Sequence, residues 1–187
     1  FCKSLLVCVF AVMVIGACSG VGVIRGIIAS APTIDDIVAT PTGFLSTVLD
    51  ANGNQTATLV ASGSNRRAVT IDEIPKNLQH AFVAIEDERF YEHNGIDVTG
   101  IIRAGVKGVA SGFHFSEGAS TITQQLLKNT VFTSWTSESS MTDKFERKFQ
   151  EQYLALQLEK VVDKDWILEN YLNAINLGQN TLGVGVA

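Results

Sequence analysis

The pattern of hydrophobic and polar positions divides the chain sharply. From Leu5 to Ile24 every residue is apolar or small apart from Ser19, with Lys3 before the run and Arg25 after it. Twenty residues at about 1.5 Å each span the roughly 30 Å hydrocarbon core of a bilayer. A core helix of a soluble domain would carry a polar stripe, and this run has none. Residues 1–29 therefore predict a membrane anchor. A cleaved signal peptide stays open beside it, as does a lipoprotein leader, because Ile15-Gly16-Ala17-Cys18 resembles a lipobox.

Residues 30–71 predict an extended linker. Within it, Ser46–Leu49 and Thr56–Val60 are β-prone runs around Asp50 to Asn54, and Asn52-Gly53 favours a hairpin turn. From Asp72 onward the period becomes helical. Helices are expected from Pro75 to about Tyr91, from Asp97 to Ala110, and from Thr121 to Asn129 with Ser120 as N-cap. A long helix from about Asp143 to Lys160 and one capped by Asp163 follow, the last carrying Trp166, Ile167, Tyr171 and Ile175 and stopping at Gly178. Residues 111–119 and 130–141 read as loops, the first of them mobile. The main domain, 72–187, is thus mostly α.

Composition narrows the functional classes. The chain has 187 residues, 46% hydrophobic and 18% charged, with a net charge of -5. Residues 1–30 contain no acid, so the remainder holds 12 basic and 19 acidic residues. No dominant basic face can arise from that balance, which argues against a nucleic-acid partner. Cys2, Cys8 and Cys18 all lie in the apolar segment, leaving no thiolate metal site or disulfide framework in residues 31–187. Phe1 at the start and Ala187 at the end, without a terminal signal, suggest a piece of a longer protein.

Three places carry candidate chemistry. In the first helix, Leu78, Phe82, Ile85 and Arg89 share a face, with Glu86 at its edge and Asp87 pointing away. Partial desolvation of Glu86 would suit it to proton transfer, although a solvated helix end capped by His93 explains the same residues. The run Gly118-Ala119-Ser120-Thr121 opens a helix whose free N–H groups and dipole suit a phosphate, with Lys128 two turns along to reach back. An ordinary capped helix is the plainer alternative. On the long helix, Phe145, Phe149, Gln152 and Leu156 form one apolar face and Arg147, Glu151, Leu154 and Leu158 a second. That places the Arg147–Glu151 pair inside, as a structural ion pair or as a carboxylate held near a phosphate. No Ser-x-x-Lys, Lys-Thr-Gly, phosphate-binding GxxxxGK[ST] or His-Glu-x-x-His run occurs. His80, His93 and His114 are not at metal-ligand spacing.

In order and spacing, these places combine. Glu86-Asp87-x-x-Phe90-x-x-His93-x-Gly95 is followed by Gly118-x-Ser120-Thr121-Ile122-Thr123-Gln124-Gln125 with Lys128-Asn129. Then come Arg147-Lys148-x-x-Glu151 and Lys164-x-x-Ile167-Leu168-x-x-Tyr171-Leu172-Asn173. Over about residues 44–187 the chain closely resembles the peptidoglycan glycosyltransferase domain, family 51, of class A penicillin-binding proteins and monofunctional transglycosylases. The resemblance implies a lysozyme-like helical fold with a membrane-proximal jaw, and polymerisation of lipid II into glycan strands. It implies Glu86 as the general base and Glu151 as a second carboxylate that orients the diphosphate or its metal. Ser120, Thr121, Gln124, Gln125, Lys128, Arg147 and Lys148 match substrate-contacting positions, while Phe90, His93, Tyr171 and Asn173 read as mainly structural. No cofactor is required by it, though Mg or Mn could sit at the diphosphate. Lipid II, the growing strand, the membrane and cell-wall synthesis proteins are the implied partners, with the domain outside the cell on a single span. One departure is Asp143, where family members often carry Arg. A lytic, lysozyme-like enzyme and a non-catalytic lipid II-binding scaffold remain as alternatives.

Overall fold

The computed structural model describes residues 2–34, 40–61, 65–112, 118–179 and 181–187, with side chains from Val9 onward. It begins with α1, Cys2–Ala29. Within this helix Val9–Ala29, 21 residues and about 31 Å at the helical rise, is long and apolar enough to cross a membrane, and none of it is buried against the rest of the chain. A small antiparallel sheet follows, β1 Ser46–Leu49 and β2 Gln55–Leu59, in the register Ser46 to Leu59 with an irregularity after Val48. The hairpin stands where the sequence predicts it. Its turn is built around Asp50, whose carboxylate accepts from the Asn52 and Asn54 amides at 2.8 Å, with Gly53 at φ +83°. A positive φ of this kind favours glycine.

The remainder is helical: α2 Lys76–Glu86, α3 Val98–Ala110, α4 Ile122–Thr130, α5 Met141–Leu158 and α6 Lys164–Ala174, with 3-10 turns at Thr133–Ser137 and Val184–Val186. The chain is mainly α with one apolar N-terminal helix and a two-stranded sheet, as the pattern of residues predicts. The core lies among α4, α5 and α6, where Ile122, Leu126, Leu127, Leu154, Ile167, Leu168 and Leu172 are fully buried. Burial of such side chains stabilises by about 1.5–3 kcal/mol each. Asn173 ties this core to the preceding segment, accepting from the Val69 amide at 3.0 Å and donating to its carbonyl at 2.8 Å. The end of α1 is stitched to α5: Gln150 Nε2 donates to the Ile27 carbonyl at 3.3 Å and to Ser30 Oγ at 3.1 Å. Ser30 in turn donates to Glu146 at 3.2 Å.

Four local expectations are corrected. α2 ends at Glu86, five residues short of Tyr91, because Asp87 leaves the helix at φ -160° to place its carboxylate against other elements. The buried face of α2 is Gln79 and Val83, whereas Ile85 is 81% exposed. The cap of α4 is Thr121, one residue beyond Ser120, and its hydroxyl accepts from the Gln124 amide. On α5 the buried residues are Gln150, Glu151, Leu154, Ala155 and Leu158, whereas Phe145 and Leu156 are exposed. The loop expected over 111–119, with His114, falls partly outside the described residues.

Candidate active site

Glu86 stands at the C-terminus of α2 with its side chain open to solvent. The desolvation expected from its neighbours does not occur, because Ile85 turns outward and Phe82 is only partly buried. Among the described residues a single side chain holds it: Gln125 Nε2 on α4 donates to Glu86 Oε2 at 2.9 Å. Tyr171 on α6 donates to Gln125 Oε1 at 3.4 Å. Burial first, and then the negative charge of Glu86, push the Tyr171 phenol above its ordinary value, so it stays a hydrogen-bond donor at neutral pH. Tyr171, which the sequence presents as structural, thus reaches the site through Gln125.

Asp87 does the opposite of its neighbour. It is buried, lies 3.0 Å from His93 Nε2 through both oxygens, and accepts from the Ile122 amide at 2.9 Å. His93 Nδ1 accepts from the Gly95 amide at 3.2 Å, so the proton on the ring's Nε2 points at Asp87. Gly95, at φ +90°, packs where an added Cβ would stand 2.6 Å from the Ala155 carbonyl. Its own carbonyl accepts from the Thr121 hydroxyl at 2.7 Å and from Gln124 Nε2 at 3.4 Å. The positive end of α4 is therefore occupied from within. Asp87 takes the Ile122 amide and Thr121 takes that of Gln124, so two of the backbone donors expected to meet an anion at this helix start are already engaged. Thr121 and Gln124, both expected to meet substrate, are buried and support the loop at Gly95.

The cations come from α4 and α5. Glu151 is completely buried. Arg147 donates to its Oε1, Lys148 to its Oε2 at 2.8 Å, and Lys148 also to Ser120 Oγ at 3.0 Å. Arg147 Nε is shared by the Glu138 oxygens at 2.8 and 2.9 Å. Burial works against the Arg147 charge, but hydrogen bonds to Glu138 and Glu151 outweigh it and hold the guanidinium above its ordinary pKa. Glu151 thus has no access to a ligand; it fixes the two cations in place. Glu138 is a participant that loop composition gave no reason to single out. Asp143, in the first turn of α5, brings no cation.

Lys128 rests with Nζ 4.5 Å over the ring of Trp135. Two hollows flank Glu86. One of about 130 Å³ is lined by Arg89, Asp97, Arg103 and Ser120. The other, about 610 Å³, is lined by Gln125, Lys128, Asn129, Trp135 and Tyr171. Beside the first, Asp97 caps α3 through the Gly100 amide and binds Arg89, whose guanidinium is the main cause holding the Asp97 carboxyl below its ordinary pKa. The arrangement is an open carboxylate between two hollows, one lined by Lys128 and the other by Ser120, which Lys148 binds.

A family model described as Transglycosylase matches residues 52–187. The chain belongs to the transglycosylase family. This transglycosylase is 45% identical over 174 residues to penicillin-binding protein 1A of Clostridium novyi (strain NT), covering 90% of the chain and 20% of that protein. It is 43% identical over 190 residues to penicillin-binding protein 1A of Clostridium perfringens (strain 13 / Type A), covering 100% and 26%. Penicillin-binding protein 1A/1B of Bacillus subtilis (strain 168) is 39% identical over 186 residues, covering 99% and 19%. The transglycosylase chain thus spans about a fifth to a quarter of the length of these relatives.

Proposed function

We propose that the chain polymerises lipid II, an undecaprenyl-diphosphate-linked disaccharide-pentapeptide, into glycan strands. The observation that carries the reading is Glu86, open and held among the described residues by Gln125 alone, with Lys128 lining one flanking hollow and Lys148 bonded to Ser120 at the other. In this reading Glu86 takes the proton from the 4-hydroxyl of the acceptor sugar. The oxygen bonds to the anomeric carbon of the donor, whose bond to the diphosphate oxygen breaks with inversion. The diphosphate leaves as an anion and needs no proton, so one base and charge stabilisation suffice. Lys128, Arg147 and Lys148 supply that charge, with Ser120 beside Lys148. Glu151 acts through the two cations that it binds and is a positioning residue. Gln125 orients Glu86, with Tyr171 behind it.

Among the described residues no three carboxylate, histidine or cysteine side chains gather at one point, and both Glu151 oxygens are taken by Arg147 and Lys148. A hydrolytic reading would need a second acid at the sugar leaving oxygen, and buried Glu151 has no path to one. The span in α1 supports a protein anchored in the cell membrane by one helix, with its helical domain on the extracellular face beside a substrate that stays in the bilayer. The growing strand and cell-wall synthesis proteins are its partners in this reading.

Detergent-solubilised protein incubated with fluorescent lipid II is the test. Polymer is expected from the unsubstituted chain, and Glu86→Gln should slow it at least ~100-fold, the low end for loss of a general base. Equal rates from the two proteins would remove Glu86 from its role. Capture of lipid II without polymer would replace the polymerase by a scaffold.

A further inference from the structure

The 3-10 turn Thr133–Ser137 presents an indole that the core does not use. Phe132 and Val131 pack against the core, but Trp135 does not, and it remains 36% exposed. The turn is closed by the Trp135 amide donating to the Phe132 carbonyl at 3.0 Å. Its side chain forms a wall of the 610 Å³ hollow beside Glu86, together with the amides of Gln125, Asn129 and Asn176. An aromatic plane bordered by amides and a carboxylate is the chemistry that receives a pyranose. The C–H face of the sugar lies on the ring, and its hydroxyls meet the polar rim. The hollow is within the size range of small-molecule sites. In the free protein, however, Lys128 covers the ring.

Resting on the polymerase reading above, we infer that Trp135 is a sugar-stacking residue, and that Lys128 covers its ring only until a diphosphate draws the ammonium away. The exchange needs only rotations of the flexible lysine stem. Burial first, and then repulsion from Lys148, press on the Lys128 charge in the free protein, so an arriving anion relieves it. Diphosphate binding and exposure of the sugar platform then become one event.

Two measurements decide it, both on the full chain in detergent micelles. In a Trp166→Phe background Trp135 is the sole indole. Titration with inorganic pyrophosphate should shift its emission saturably, and Lys128→Met should abolish the shift. Emission that ignores pyrophosphate would overturn the exchange. In lipid II kinetics Trp135→Ala should raise KM about fivefold while kcat stays within about twofold, as expected for an aromatic contact made equally in ground and transition states. Trp135→Phe should restore most of the loss with helix content unchanged. An unaltered KM in Trp135→Ala, or equal losses of kcat in both variants, would overturn the stacking role. Absence of polymer from the unsubstituted protein would count instead against lipid II polymerisation, and the emission titration would still test the Lys128–Trp135 exchange.

Discussion

Lys128 places its ammonium in a half-buried position near two other cations, and the fold is less favourable to it than water is. Burial, followed by Lys148, holds its pKa below the ordinary 10.5. The native state therefore releases this proton before the unfolded chain does. The resulting penalty on stability is fully present at neutral pH and is relieved as pH rises through the lowered value toward 10.5. Lys128→Met should then raise the melting temperature at pH 7 while losing affinity for pyrophosphate, measured by thermal melts and by calorimetric titration. A lower melting temperature would contradict this account. Spacing in the sequence picks out Lys128 as a cation near an anion site, but its resting place over Trp135 depends on how a polar loop folds back. Glu86 shows the same limit. The helical period assigns it to an apolar edge, yet α2 is rotated so that Gln79 and Val83 face inward, and a polar Gln on the buried side is invisible to a hydrophobic count.

At the scale of elements, the joint between α2 and α4 organises the site. One carboxylate, Asp87, ends the first helix and closes the start of the second, with His93 behind it. Asp87→Ala would leave the Ile122 amide and the His93 N–H without partners in a buried place. About 3 kcal/mol of stability should be lost, with amide exchange at Ile122 and Thr123 accelerating most. Exchange confined to other helices would show that the joint is held by something else. Most helices were legible as elements, since the caps Asp97 and Asp163 and the apolar spacing are local signals. The early end of α2 was not, because it depends on a partner 35 residues away. The ion pair within α5 was legible for the opposite reason: Arg147 and Glu151 are one turn apart, and Leu154 and Leu158 continue their face.

On the scale of the whole molecule, the apolar α1 and the cationic cleft are joined through α5. Gln150 binds the last turn of α1 and Ser30 beyond it, while Arg147, Lys148 and Glu151 occupy the neighbouring turn of the same helix. Gln150→Leu keeps the volume but removes these bonds. Amide exchange around residues 27–31 should quicken roughly fivefold, matching the loss of about 1 kcal/mol of hydrogen bonding, with the α4–α6 core unaffected. Unchanged exchange would mean that packing alone holds the junction. Net acidity of the chain gave no hint of this cationic cleft, because bulk charge averages over a surface and the site is a few side chains on two helices. A stitched junction also restrains swivel between span and cleft. If α1 crosses the bilayer, the cleft keeps one height and one tilt above it, like a tool clamped to a bench. On the polymerase reading proposed above, elongation would then proceed by feeding the strand past a head held near one height.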